Sequence, residues 1–130
     1  MDNKDWLVTP TELESTPSRR DGISVAMERK LREKSVFFIE SLCHHHKCKC
    51  NILSKSSACV YFHRFYMAHS FKSHQRLIVA VACLFIACKV EEEPKRIKEI
   101  MAVYFDVLRK LRPSQTEVTD EVRQDTIGPI

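Results

Sequence analysis

The residues best suited to chemistry lie in one short tract between positions 43 and 50. Its side chains include thiols and imidazoles, the groups that most often bind zinc in proteins. They belong to Cys43, His44, His45, His46, Cys48 and Cys50. Structural zinc sites usually draw their ligands from two separated pairs, whereas this tract is contiguous and falls in a predicted loop between helices. The pattern favours adventitious metal binding over a dedicated site, so we predict no bound metal and no cofactor.

Catalysis has little support in the sequence. A nucleophilic cysteine needs a lowered pKa and a base oriented by a third group, and no such set is recognisable around the six cysteines. His63 and Arg64 fall in an aromatic-rich helical segment, where a histidine is more often packed and hydrogen-bonded than catalytic. The sequence also contains no glycine-rich phosphate loop and no HExxH pattern. We therefore predict that this protein is not an enzyme.

The elements that must position these residues are predicted to be helices. Among 130 residues only Gly22 and Gly128 are glycines, so the tight turns of a hairpin-rich β protein have little support. Hydrophobic residues make up 44% and charged residues 29%, which is typical of a single globular domain. The predicted fold class is all-α, a bundle with four helices evident.

Hydrophobic periodicity and capping residues place the first two helices. The first is predicted from Ser24, as its N-cap, to His44. The second is predicted to begin after a cap at Ser54 or Ser56 and to continue to His69. Its aromatic residues indicate contacts on several sides.

The third and fourth helices carry most of the apolar surface. The third, about 74–90, is apolar on every face from Leu77 onward and should form the centre of the bundle. The fourth is predicted to have Pro94 in its first turn, with the preceding acidic residues at the positive end of its dipole. Its apolar face, from Ile97 to Leu111, is the strongest periodic signal in the chain.

These helices divide the chain into three segments. Residues 1–22 are polar and turn-rich, and they are expected to form an N-terminal arm outside the core. Residues 23–112 form the helical domain, and residues 113–130 form a polar C-terminal tail. The longest apolar run, at about 12 residues, is shorter than the roughly 20 that a membrane span needs. With no signal peptide evident, we predict an intracellular protein with no membrane partner.

One segment resembles a known family. Residues 60–94 read VYFHRFYMAHSFKSHQRLIVAVACLFIACKVEEEP, and they resemble the cyclin box of transcription cyclins of the T, K and L types, with T or K favoured. HRFYM at 63–67 and LFIACKVEE at 84–92 stand in the family's order and spacing. ELESTPSRRDG at 12–22 resembles the arm that precedes the box, and the resemblance covers roughly residues 6–112.

The resemblance implies a nuclear regulatory protein. Such a cyclin binds and activates a transcription-type cyclin-dependent kinase by moving the kinase's αC helix inward, and so supports RNA polymerase II elongation in a P-TEFb-like manner. It also implies that Lys89, at the end of the third helix, contacts the kinase together with Glu92 and Glu91. The family's box has five helices and is followed by a second box. Neither the fifth helix nor the second box is evident, so we expect an apparently truncated cyclin.

Two other functions stay open at this point. A half-cyclin that lacks a contacting helix would bind a kinase without activating it and would compete with complete cyclins. A TFIIB-like module, which shares the cyclin fold, would bind nucleic acid or another transcription factor. The formal net charge of +4 is compatible with nucleic acid but does not require it, so nucleic acid is not our expected ligand.

Overall fold

The computed structural model describes residues 15–111, and within this range the chain is helical and contains no strand. The helices are α1 (Pro17–Arg20), α2 (Val25–His44), α3 (Ile52–Ala68), α4 (Arg76–Val90) and α5 (Ile97–Leu111). The predicted all-α fold class is confirmed. The first part of the predicted arm and the predicted C-terminal tail lie outside the described residues.

The starts of α2 and α3 show how local sequence sets helix boundaries. Ser24 caps α2 as predicted, because its side-chain oxygen accepts a hydrogen bond from the Met27 amide at 3.1 Å. The predicted cap of α3 at Ser54 or Ser56 is wrong. Asn51 caps α3 through a 2.9 Å hydrogen bond from the Ser54 amide, so α3 starts one turn earlier than the serines suggest.

Helix α4 is the central element, as its apolar composition predicts. It contacts α2, α3 and α5, and its inner side chains, such as Ala80 and Ala87, are fully buried. The described residues do not enclose it on every face, however, because Ile78, Ile86 and Val90 remain about half exposed. None of the helices within residues 15–111 combines the length and apolarity needed to cross a bilayer.

The link between α4 and α5 differs from the prediction. Pro94 lies in the connecting loop rather than in the first turn of a helix, because α5 begins only at Ile97. Glu91 is the C-cap of α4, so the acidic residues follow the negative end of α4 instead of opening α5. The chain first closes α4 with a turn, and that turn uses the residues that the sequence had suggested for the next helix.

Aromatic side chains join α3 to the segment that leads into α4. The rings of Tyr66 and Phe71 stack with their centroids 3.8 Å apart and their planes 1° from parallel. The Tyr66 hydroxyl donates a 2.8 Å hydrogen bond to the carbonyl of His74, which satisfies a polar group inside the core. This contact fixes the turn that sends the chain from α3 into the central helix.

The last residues of the predicted arm belong to the core, contrary to expectation. Thr16 and Ser18 are buried, and the Ser18 side chain accepts a 2.9 Å hydrogen bond from the Phe71 amide. The carboxylate of Glu28, which is only 3% exposed, accepts hydrogen bonds from Thr16 at 3.1 Å and Arg19 at 3.2 Å. These polar residues are buried because each finds its partner only after α1 docks on α2 and α3.

Glu28→Ala should therefore destabilise the fold. It removes the acceptor shared by Thr16, Arg19 and Arg32, the last at 3.3 Å. We expect a loss of about 2 kcal/mol in the free energy of unfolding, below the full cost of a buried ion pair because both arginines are partly exposed. Urea denaturation measures this, with Glu33→Ala, at an exposed position of the same helix, as the control. Equal effects of the two variants would contradict the role of Glu28.

The tract at 43–50 is packed against the bundle. His45 is only 8% exposed, and its Nε2 lies 2.6 Å from a carboxylate oxygen of Asp106 on α5. The Nδ1 of His45 accepts a 3.1 Å hydrogen bond from the Lys47 amide, which fixes the orientation of the ring. The hydrogen bond from His45 lowers the pKa of Asp106, and Lys110 acts in the same direction.

This lowered pKa gives a pH-dependent contribution to stability with a definite sign. A carboxyl group whose pKa is lower in the folded state stabilises the protein above its unfolded pKa, about 3.9, and loses that contribution as the pH falls. Asp106→Asn should therefore be less stable than the wild type at pH 6, and the difference should shrink towards pH 3. Chemical denaturation across this range measures the effect. A difference that stays constant with pH would contradict it.

Candidate functional site

The loop that follows α4 holds the residues singled out in the sequence. The Glu93 amide donates a 2.7 Å hydrogen bond to the Cys88 carbonyl, and the Glu92 amide donates one of 3.2 Å to the Lys89 carbonyl. This pair of bonds is a Schellman motif, in which the residue after the C-cap takes a left-handed conformation. Glu92 occupies that position with φ of 57°. The motif fixes where the acidic loop leaves the helix.

The glutamates of this loop have different environments. Glu91 accepts a 2.8 Å hydrogen bond from the Ser57 hydroxyl, so its carboxylate faces α3. Glu93 accepts a 3.0 Å hydrogen bond from the Asn51 amide and a 2.9 Å hydrogen bond from the Ser54 hydroxyl. Both carboxylates lie near the N-terminal end of α3, where the helix dipole favours negative charge. Glu92 is exposed and points its charge to solvent.

Lys89 lies on the exposed side of α4, one helical turn after Phe85. Its Nζ atom is 4.6 Å from the centroid of the Phe85 ring, a cation–π arrangement. The contact restrains a long side chain that would otherwise sample many rotamers at the helix end. The ammonium group is thereby held over an aromatic ring that is itself part of a larger apolar surface.

That apolar surface is an open groove of about 420 Å³ between α4 and α5. Three of its side chains are unusually exposed for their size: Ile97 at 60%, Phe105 at 55% and Ile78 at 46%. An open, continuous apolar patch of this kind usually marks a binding surface. The groove is lined by Ile78, Val81, Ala82, Phe85, Ile97, Ile100, Met101, Tyr104 and Phe105.

The sequence predicted the apolar residues of α4 and α5, but it did not predict that they leave an open groove between the two helices. The apolar residues of α5 were predicted as one continuous face from Ile97 to Leu111. Contacts with α2 and α4 bury part of that face, including Ile100, whereas Ile97 and Phe105 stay exposed. The width of the apolar face is the signal in the sequence that indicates more apolar surface than these two neighbours cover. Of the predicted site residues, Lys89 lies beside this groove because its ammonium group contacts the ring of Phe85, which lines the groove. Glu91 instead faces α3.

The charged cleft between α1, α2 and α3 supports packing rather than catalysis. His63, the histidine that could have suggested acid–base chemistry, has its Nδ1 2.9 Å from a guanidinium nitrogen of Arg32. Burial lowers the pKa of His63, and the charge of Arg32 lowers it further. Arg32 in turn binds the carboxylate of Glu28, so the charged groups of this cleft satisfy one another.

The cap of α4 yields a stability prediction. Glu92→Gly should keep the free energy of unfolding within about 1 kcal/mol of the wild type or raise it, because glycine takes a left-handed conformation without a Cβ clash. Glu99→Gly, at an exposed position within α5, should instead lose about 1 kcal/mol. Thermal and urea unfolding compare the two variants. A clear destabilisation by Glu92→Gly would show that the Glu92 side chain itself stabilises the fold.

Comparison with known proteins gives a family match over most of the chain. The family model described as "Cyclin, N-terminal domain" matches residues 6–126. The match extends beyond residue 112, where the resemblance read from the sequence ended. The apolar residues beyond Pro113 are sparse, which explains why pattern reading stopped there.

Individual relatives are similar over a comparable length. The chain is 34% identical to Cyclin-T2 of Mus musculus over 121 residues and 37% identical to Cyclin-T1 of Homo sapiens over 101 residues. It is also 34% identical to Cyclin-K of Homo sapiens over 110 residues. These alignments cover 93%, 78% and 85% of this chain, but only 16%, 14% and 19% of the respective relatives.

Proposed function

Because this chain belongs to the cyclin family, we propose that it binds a transcription-type cyclin-dependent kinase through the groove between α4 and α5. The observation that carries this proposal is the open apolar groove with a lysine held beside it. A regulatory role of this kind needs a stable surface and no catalytic group. The partner and the activity are proposals, since the chain spans less than a fifth of the length of the relatives it matches.

The apolar side chains of the groove would supply most of the binding energy. Full burial of a large apolar side chain contributes roughly 1.5–3 kcal/mol, and Ile97 and Phe105 each keep more than half of their surface exposed. Burying that remainder would contribute about 1 kcal/mol for each residue. A few such residues at the centre of an interface usually dominate its affinity. The groove therefore offers the anchors that a stable contact with a kinase helix needs.

The charged residues beside the groove would set the register of the complex. We assign kinase contacts to Lys89 and Glu92, which are exposed and belong to the same helix cap. Charges at the edge of an interface steer association and select the orientation of a partner more than they add affinity. Glu91 supports these contacts by holding the loop to Ser57.

The consequence for the kinase would be a change in conformation. A bundle docked against the αC helix holds that helix inward, which brings together the lysine and glutamate that position the phosphates of ATP. In this proposal the chain contributes binding energy only. Similarity to cyclins T and K supports a nuclear role in the phosphorylation of the RNA polymerase II tail.

A binding experiment with matched variants tests this proposal. Phe105 in the groove and Phe37 on α2 are both 55% exposed, so Phe105→Ser and Phe37→Ser remove the same amount of exposed aromatic surface at two places. We expect Phe105→Ser and Lys89→Glu to weaken capture of an elongation-type kinase by about tenfold, equivalent to about 1.4 kcal/mol. Phe37→Ser should bind as the wild type does.

The outcomes separate the competing functions. Binding accompanied by activity on a polymerase-tail peptide supports an activating cyclin, and binding without activity supports a half-cyclin that competes with complete cyclins. Equal losses in Phe105→Ser and Phe37→Ser would place the contact away from the groove. Failure of the wild-type chain to bind any transcription-type kinase would overturn the proposal. A nucleic-acid affinity that falls steeply with salt would then favour the TFIIB-like alternative.

A further inference from the structure

Four of the six cysteines converge where the tract at 43–50 meets the end of α4. The sulfur of Cys50 lies 3.1 Å from that of Cys48 and 3.6 Å from that of Cys88. Cys50 also forms a side-chain hydrogen bond with Cys43, near the end of α2. Cys50 therefore contacts three other thiols, which come from two helices and one loop. We refer to these four residues as the thiol cluster.

The backbone around the thiol cluster is well defined. The Cys50 amide donates a 3.1 Å hydrogen bond to the carbonyl of Cys43, and the Cys48 amide donates one of 2.9 Å to the carbonyl of His45. Between the two loop cysteines, Lys49 takes a φ of 45°, a conformation that side chains other than glycine rarely adopt. The loop thus holds the Cys50 sulfur against Cys88 of α4, and the Cys48 sulfur against Cys50, at some conformational cost.

A carboxylate lies next to the sulfurs. An oxygen of Glu93 and the sulfurs of Cys50 and Cys88 all lie within 4.8 Å of one another. Glu93 is already anchored by the Asn51 amide and the Ser54 hydroxyl. A fixed carboxylate beside thiols is the type of group that orients a metal ligand or becomes one.

We propose that the thiol cluster holds a Zn²⁺ site, with Cys50, Cys88 and Glu93 as the ligands that already lie together and Cys48, 3.1 Å from Cys50, as the fourth. Zinc binds thiolates at about 2.3 Å in a tetrahedron, which places neighbouring sulfurs about 3.8 Å apart. The observed separations of 3.1 and 3.6 Å come within about 1 Å of that value. The sulfurs of Cys50 and Cys88 therefore need to move apart only slightly to admit the ion, whereas the sulfur of Cys48 must move closer to that of Cys88.

This site differs from the one that the sequence suggested and set aside. The tract by itself offers contiguous ligands, and Cys88 stands 38 residues away from Cys50 along the chain. Only the packing of α4 against the tract brings a thiol from a separate element into the set. Ligands drawn from distant elements can crosslink a fold, which a contiguous tract in one loop cannot do.

Packing of free thiols as small apolar groups explains part of the arrangement but not all of it. Cys59 and Cys83 lie in helices and do not belong to the thiol cluster, as expected for cysteines that only fill space. Cys48 and Cys50 lie on either side of Lys49 in a loop, and although both pack against the core, their sulfurs also lie 3.1 Å from each other. Their proximity to Cys43 and Cys88 indicates a site at which the sulfurs bind a metal ion.

A bound ion would hold the end of α4 to the tract. Cys88 immediately precedes Lys89 and provides the carbonyl that the Glu93 amide caps. The metal site would therefore stabilise the same helix end from which Lys89 and Glu92 project. Its test does not depend on any kinase, so the metal site and the proposed function can fail separately.

Titration of the reduced 130-residue chain with Co²⁺ and Zn²⁺ tests the site. Co²⁺ should give the thiolate charge-transfer and visible absorption of a tetrahedral thiolate complex at one equivalent, and Zn²⁺ should displace it. Competition with a chromogenic chelator should give a Kd for Zn²⁺ below about 0.1 µM, as for structural zinc sites. Zn²⁺ should also raise the thermal midpoint of unfolding.

Cysteine variants assign the ligands. Cys50→Ser and Cys88→Ser should weaken Zn²⁺ binding by at least about a hundredfold. Cys59→Ser, a half-buried thiol outside the thiol cluster, should bind as the wild type does. Cys48→Ser, at a buried position of the loop between α2 and α3, should lose affinity while its circular dichroism stays helical, which separates loss of a ligand from loss of the fold.

Two results would overturn the proposal. Absence of a tetrahedral thiolate spectrum in the reduced wild-type chain would leave the four cysteines as packed thiols. Metal binding that persists in Cys50→Ser and Cys88→Ser but disappears in a His44→Ala/His46→Ala variant would show adventitious binding by the exposed imidazoles of the tract.

Discussion

The hydrogen-bonded cap at the end of α4 is the constraint on which the functional surfaces depend. The amide of Glu93 bonds to the carbonyl of Cys88, and the Glu93 carboxylate then bonds to the N-terminal turn of α3. One residue thus joins the end of the central helix to the start of its neighbour. The cap sets the exit direction of the loop towards α5, and so it determines the groove between α4 and α5. It also places Lys89 and Cys88 on adjacent positions with different environments, one exposed and one buried.

Polar groups are buried between α1 and α2, whereas apolar groups are exposed between α4 and α5. Glu28 is buried because Thr16, Arg19 and Arg32 satisfy its carboxylate, and this network holds α1 against the bundle. The groove between α4 and α5 shows the opposite arrangement, since its large side chains remain exposed among the described residues. Both features are costly in an isolated domain unless something compensates. For Glu28 the compensation is visible in the structure, and for the groove we propose that a kinase partner provides it.

The family match and the structure support the same fold. The similarity to cyclins T and K confirms the predicted resemblance to transcription cyclins, and the structure confirms a helical bundle with the apolar helix at its centre. The contacts of Lys89, Glu91 and Glu92 with a kinase stay predictions. The structure refines them, because Glu91 is bonded to Ser57 whereas Glu92 is exposed in a strained position. A residue kept in a left-handed conformation without being glycine suggests a use for its side chain.

The sequence by itself determined the helices, the central position of α4 and the family, because these follow from local periodicity, capping and motif order. It misplaced the cap of α3 and the start of α5, since Asn51 and the Schellman turn that ends α4 compete with equally plausible serine and proline signals nearby. Only the tertiary structure decided that Thr16 and Ser18 are buried, that Ile97 and Phe105 are exposed, and that Cys88 meets Cys50. Burial and contact depend on which faces of distant elements meet, and no local pattern encodes the partner of a face. The helices were therefore readable from the chain, whereas the groove and the thiol cluster exist only once the helices pack.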